Sequence, residues 1–195
     1  MTGNNAITSN GSLILYAKKQ SISTYNYTTA RIISKESFQY GYFESRMKIP
    51  STIPTWPAFW LLSAHRPLRW PLDGEIDIME HISCNPNKIG IHINTKKYNW
   101  KNGTSKGNNV YIPNLYDDFH IYGLDWNSKR IIFYIDNIEY FRYVKTEMTF
   151  DAWPFDTQFN IILNMALDTQ CMKDGLEYVL PAQFVVDYVR VYKNS

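Results

Sequence analysis

Asp73-Gly74-Glu75-Ile76-Asp77-Ile78-Met79-Glu80-His81-Ile82 is the segment whose residue types and spacing come nearest to specifying chemistry. Residues two apart on a strand share a face, so Glu75 and Asp77 point one way while Ile76 and Ile78 point into an apolar layer. Glu80 is out of phase by one residue, and a β-bulge at Ile78-Met79 would return it to the face of the other two acids. Three carboxyls on one sheet face suit cleavage of a glycosidic bond. One attacks the sugar carbon, and another, kept protonated, donates to the leaving oxygen. A retaining reaction needs the working pair about 5 to 5.5 Å apart. Four strand steps separate Cα atoms by roughly 13 Å, a gap that two long Glu side chains can close by leaning across a shorter Asp. Spacing alone leaves open a solvated acidic face paired with Lys or Arg. A calcium site fits less well, because the segment lacks an Asp/Asn-Gly ligand loop.

Such a strand must sit in a sheet, and period-2 alternation broken by Asn, Gly, Ser and Pro recurs along the whole chain. The pattern predicts eleven strands: Ser12–Lys18, Ala30–Ser34, Gln39–Ile49, Ala58–Leu62, Glu75–Ile82, Lys88–Asn94, Phe119–Trp126, Arg130–Ile135, Glu139–Val144, Phe159–Ala166 and Phe184–Tyr192. That number exceeds one ordinary sheet, so two stacked sheets are expected. Asp136-Asn137 reads as a two-residue hairpin turn, and Asn99–Asn109 and Asp168–Tyr178 read as surface loops.

Composition narrows the class further. The 195 residues suit one domain, and 45% hydrophobic with 19% charged residues is the make-up of a chain that buries a core. Twenty basic against eighteen acidic residues give a net charge of +2, with no basic stripe for phosphate backbones, so nucleic acid is not an expected partner. No apolar run is long enough for a helical membrane span, and the opening residues lack the pattern of a secretory signal. Cys84 and Cys171 lack metal-ligand spacing and are read as free thiols. The aromatic share of 16% exceeds what a core of this size requires, and Trp and Tyr suit stacking on flat ligands. Trp56 and Trp60 are an even number of residues apart and share a face, and Trp70 lies five residues before the acidic strand.

Gly74-Glu75-Ile76-Asp77-Ile78-Met79-Glu80 resembles the catalytic signature of family 16 glycoside hydrolases, in the bulged form of the laminarinase-like members. Similar blocks follow in the family's order, among them Thr29-Ala30-Arg31-Ile32, Tyr40–Lys48, Trp56-Pro57-Ala58-Phe59-Trp60, Trp153-Pro154-Phe155-Asp156, Ile162-Leu163-Asn164 and Val186–Tyr192. The resemblance implies an all-β, two-sheet antiparallel jelly-roll sandwich with a concave glycan cleft. It implies an endo-acting retaining enzyme on β-1,3 or mixed-linkage β-glucan, with Glu75 as nucleophile, Glu80 as general acid/base and Asp77 as the auxiliary acid. It places Trp56, Trp60 and Trp70 in or beside the cleft, and matches Arg31 and Asn164 to positions that reach sugar hydroxyls. His92 faces away from Ile91 and Ile93, and the family has a His there that reaches the carboxylates.

Asp187 shares parity with Val185 and Val189, which would put an acid on an apolar face. In the family, an Asp of this block and the carbonyl of the glycine matching Gly41 help hold a calcium ion, a structural metal; catalysis needs no cofactor. The implied partner is a polysaccharide met by a monomer, outside the cytoplasm. The expected organisation is one catalytic domain over residues 1–195, short at its N-terminus, where nine residues precede the Asn10–Leu15 block. The rival readings are an agarase- or carrageenase-like galactan hydrolase, suggested by Arg66 and Arg69 near Trp70, and a non-catalytic glycan-binding jelly roll, which has no need of all three acids.

Overall fold

The computed structural model describes residues 3–52, 54–168, 171 and 179–193. Its strands are β1 (Ala6–Ser9), β2 (Ser12–Ile22), β3 (Tyr25–Thr28), β4 (Ala30–Phe38), β5 (Gly41–Lys48), β6 (Thr55–Ser63), β7 (Glu75–Glu80), β8 (Lys88–Asn94), β9 (Lys106–Tyr111), β10 (His120–Trp126), β11 (Arg130–Ile135), β12 (Ile138–Val144), β13 (Phe159–Leu167) and β14 (Ala182–Tyr192). They form two antiparallel sheets. One runs β1-β2-β14-β5-β10-β11-β12, with β3 on β2, and the other runs β4-β13-β6-β7-β8-β9. Sheet neighbours such as β14 and β5, or β13 and β6, are distant in sequence, which is the jelly-roll expected from the family blocks.

Alternation explains how each sheet contributes to the core. Along β5 every second residue is buried, putting Phe43 and Met47 inside. They meet Phe59 and Leu61 of β6, Ile76 and Ile78 of β7, and Ile91 and Ile93 of β8 in one cluster. Each such side chain withdrawn from water stabilises the sandwich by about 1.5–3 kcal/mol before entropy is counted. Trp126 and Trp153 belong to this interior as well. The turn at Asp136-Asn137 has both residues at positive φ, 49° and 65°, as a tight hairpin requires.

Three expectations change. β1, β3 and β9 have no counterpart among the predicted strands. They are short and mostly exposed, so sheet pairing rather than their own alternation makes them strands. Asn99–Asn109 is accordingly not all loop: Trp100–Asn102 is a 3-10 turn, and β9 pairs with β8 from Lys106 onward. The predicted loop Asp168–Tyr178 lies outside the described residues except for Asp168 and Cys171. Cys84 and Cys171 are joined in a disulfide with Cα atoms 5.7 Å apart, which corrects the free-thiol reading. Their separation of 87 residues hid a proximity that the sheet creates.

Candidate active site

β7 lies between β6 and β8 in the six-stranded sheet, so its outward side chains have neighbours on both sides. Both ladders slip at the expected place. Trp60 is opposite Asp77 but Phe59 is opposite Met79, and toward β8 the register breaks between Asp77 and Glu80. Ile78 is the extra residue. Ile76, Ile78 and Met79 are all buried in the core, while Glu75 and Glu80 emerge half-buried on the other face, with Asp77 almost fully enclosed between them.

The three acids are held by named partners. The side-chain amide of Asn94 donates to Glu75 Oε1 at 3.0 Å and to Asp77 Oδ2 at 2.9 Å. The Trp70 side chain makes a further hydrogen bond to Glu75. Trp56 Nε1 donates to Glu80 Oε1 at 3.2 Å, and His92 Nδ1 stands 3.5 Å from Glu80 Oε2. One carboxylate oxygen each from Asp77 and Glu80 and a ring nitrogen of His92 lie within 4.8 Å of one another. Burial and the charge of Glu80 push Glu75 up to about 7, opposed by its bonds to Trp70 and Asn94 and by the Arg31 cation. Burial pushes Asp77 well above the usual carboxylate range, and both glutamates add to the effect. The site therefore keeps at least one proton near neutrality beside carboxylates that can ionise, the combination that acid-assisted nucleophilic displacement requires.

The sugar-binding candidates gather on the same face. Trp60 Nε1 donates to Asn164 Oδ1 at 2.8 Å, and the Asn164 amide reaches the Trp56 carbonyl oxygen at 3.4 Å. Arg31 stacks over the Trp60 ring at 4.8 Å. These residues come from β4, β6 and β13, three adjacent strands on one side of β7. On the other side a cavity of about 180 Å³ opens beside Glu80, lined by Asn85, Lys88, Gly90, His92 and Asn109 among others. A Cβ on Gly107 would collide with the Ile91 carbonyl oxygen and come within 2.7 Å of His92 Cδ2, and one on Gly90 would lie 2.8 Å from His92 Cε1. The two glycines leave the room in which the imidazole sits.

Sequence reasoning missed Asn94, although it is two residues beyond His92 on β8 and opposite Glu75 in register. Trp100, 63% exposed, is 5.9 Å from Trp70, and Lys101 Nζ lies 4.8 Å over the Trp70 ring. His120 is a structural residue, bonded to Asp136 at 2.6 Å, and buried His81 is held between the Lys88 carbonyl and the Tyr116 hydroxyl.

Gly41 and Asp187 are not brought together. Gly41 begins β5 beside Tyr192, whereas Asp187 falls near the other end, level with Arg46 and Met47. About five strand steps separate them, on the order of 17 Å, too far for one ion. The parity argument for a buried Asp187 also fails, because β14 bulges there. Its side chain is 39% exposed and paired with Arg46 at 2.8 Å.

The glycosyl hydrolases family 16 model matches residues 1–179. A β-glucanase of Rhodothermus marinus is 37% identical over 97% of this chain and 70% of its own length, whereas the chain spans only 28% of the clotting factor G alpha subunit of Tachypleus tridentatus, to which it is 31% identical. Among solved structures, the laminarinase from Rhodothermus marinus superposes with a TM-score of 0.91 at 38% identity, covering 97% of this chain and 80% of that one. A mutant of SCLam, a non-specific endo-β-1,3(4)-glucanase co-crystallised with 1,3-β-D-cellotriosyl-glucose, does so with a TM-score of 0.92 at 31% identity, covering 99% and 79%. With a triad on a bulged strand and matches of this extent, the chain belongs to glycosyl hydrolases family 16.

Proposed function

We propose that this protein is an endo-acting, retaining β-glucanase that hydrolyses β-1,3 or mixed-linkage β-1,3-1,4-glucan. The observation that carries the reading is the bulge at Ile78, which gathers Glu75, Asp77 and Glu80 on one open face between aromatic side chains. Glu75, its carboxylate oriented by Asn94 and Trp70, attacks the anomeric carbon. Glu80 gives its proton to the departing glycosidic oxygen, leaving a sugar esterified to Glu75. Glu80 then takes a proton from water, whose oxygen displaces Glu75 from the anomeric carbon and restores both carboxyls. Asp77, buried between them and pushed toward its protonated form, hands a hydrogen bond to whichever neighbour is charged. The names of the relatives, a laminarinase and an endo-β-1,3(4)-glucanase, support a glucan.

An acidic galactan finds less support. Arg69 is tied to Asp73 at 2.7 Å, which answers its charge, and one nitrogen of Arg66 is taken up by the main-chain oxygens of Ser63 and His65. The Cys84–Cys171 disulfide supports work in an oxidising compartment outside the cytoplasm. Reducing-sugar release from laminarin, barley β-glucan, lichenan and agarose tests the substrate. Activity on one of the glucans is expected, and agarose alone as substrate would overturn the assignment. Glu75→Gln should lower hydrolysis below a few per cent of wild type, of the order seen when a covalent nucleophile is removed, with the circular dichroism unchanged. A fully active variant would remove Glu75 from its role.

A further inference from the structure

We propose that Asn94 is a positioning residue of the hydrolytic site, one amide that holds Glu75 and Asp77 together and ties the Trp100 turn to the nucleophile. The inference rests on the reading of Glu75 as nucleophile. Asn94 is 3% exposed at the end of β8, and all its side-chain polar atoms are engaged. Its two N–H bonds can serve one carboxylate each, at 3.0 and 2.9 Å. The carbonyl end accepts from the Trp100 backbone N–H at 3.2 Å and from Ser105 Oγ at 3.3 Å. Those two bonds fix which end of the amide faces the acids. An amide has no charge to titrate, so Asn94 donates to both acids at every working pH, which a His or Ser could not do in the same geometry.

The same residue connects catalysis to the rim. Trp100 opens the 3-10 turn capped by Asn99 and lies against Trp70, whose side chain bonds Glu75. A ring seated on these two indoles therefore presses on a turn anchored to the amide that orients the nucleophile. The charged and titratable groups facing Glu75 and Asp77 are Glu80 on the same strand, Arg31 from β4 and His92 from β8, with Lys101 at the rim over Trp70. Hydrogen bonds from Asn94 favour the ionised form of both acids against burial and Glu80. Their loss leaves the nucleophile protonated to higher pH.

The test is the pH profile of kcat/KM on the glucan that the wild-type enzyme hydrolyses, for Asn94→Ala and for the uncharged, similarly sized Asn94→Leu, with Glu75→Gln as control. The acidic limb should move up by about one pH unit, so that activity at pH 6 falls about tenfold while the alkaline limb stays in place. An equal loss at every pH with an unmoved acidic limb would overturn the proposal and leave Asn94 merely structural. Should neither variant fold, Ser105→Ala decides. It removes one of the two bonds to the amide's carbonyl end without touching an acid, and a small upward shift supports the proposal while an unchanged limb overturns it. An active Glu75→Gln control would instead overturn the nucleophile assignment, so the two failures are distinct.

Discussion

Glu75 illustrates at the residue scale how a site is assembled against stability. A carboxyl at the ordinary value of 4.5 is raised to about 7 by burial and by Glu80. Between those values the folded protein keeps a proton that the unfolded chain has lost, so stability falls as pH rises through that window. Glu75→Gln removes the titration. The variant should be more stable than wild type at pH 8 by about 1–3 kcal/mol, and the advantage should vanish at pH 4. Thermal unfolding at the two pH values checks this, and an equal difference at both would mean that the gain has another origin. The same ionisation governs catalysis, and the acidic limb of kcat/KM for the wild-type enzyme should lie near pH 7, where Glu75 gains its charge. A profile flat down to pH 5 would contradict it.

Among elements, the pair β8 and β9 shows how backbone space positions a side chain. Gly107 sits opposite His92, and Gly90 lies two residues before it on the same face. A methyl at position 107 meets both the Ile91 carbonyl and the imidazole, so the ladder must part or His92 must leave Glu80. Gly107→Ala should cost about 1–3 kcal/mol, the usual penalty of overpacking, and should reduce kcat more than it weakens substrate binding. Calorimetry and steady-state kinetics on one preparation separate the two effects. Unchanged activity and stability would show that β9 moves freely. β9 is also the element least readable in advance. Lys106-Gly107-Asn108-Asn109 has the composition of a loop and becomes a strand only because β8 offers a partner. β7 is the opposite case, since Ile76, Ile78 and Met79 against Glu75, Asp77 and Glu80 state both the strand and its phase slip.

The molecule as a whole is a sandwich, and in its six-stranded sheet the disulfide links the connections that follow two interior strands. Cys84 follows the catalytic strand, and Cys171 follows β13. The bridge thus closes the end of the sheet where the Thr55 carbonyl receives Ser83 N–H and the Pro54 carbonyl receives Asp168 N–H. Opening a loop of this length costs about 2–4 kcal/mol. At about 2–4 °C per kcal/mol for a chain of this size, Cys84→Ser should lower Tm by roughly 5–15 °C, and a reductant should do the same to wild type but not to the variant. Equal Tm values with and without reductant would mean that the bridge adds no stability.

Sequence alone determined the class of the fold, from strands recurring along the whole chain and the order of the family blocks, and the acidic strand with its bulge and the Trp56/Trp60 face, each from periodicity or spacing within one segment. Everything that depends on which strands lie side by side was decided by the tertiary structure. Asn94 bridges two acids because β8 pairs with β7, Cys84 finds Cys171 across 87 residues, and a bulge in β14 turns Asp187 out to Arg46 and away from Gly41. Local alternation encodes the direction of a side chain. It carries no information on the neighbour that the side chain will meet, which register and sheet order supply only once the core has closed.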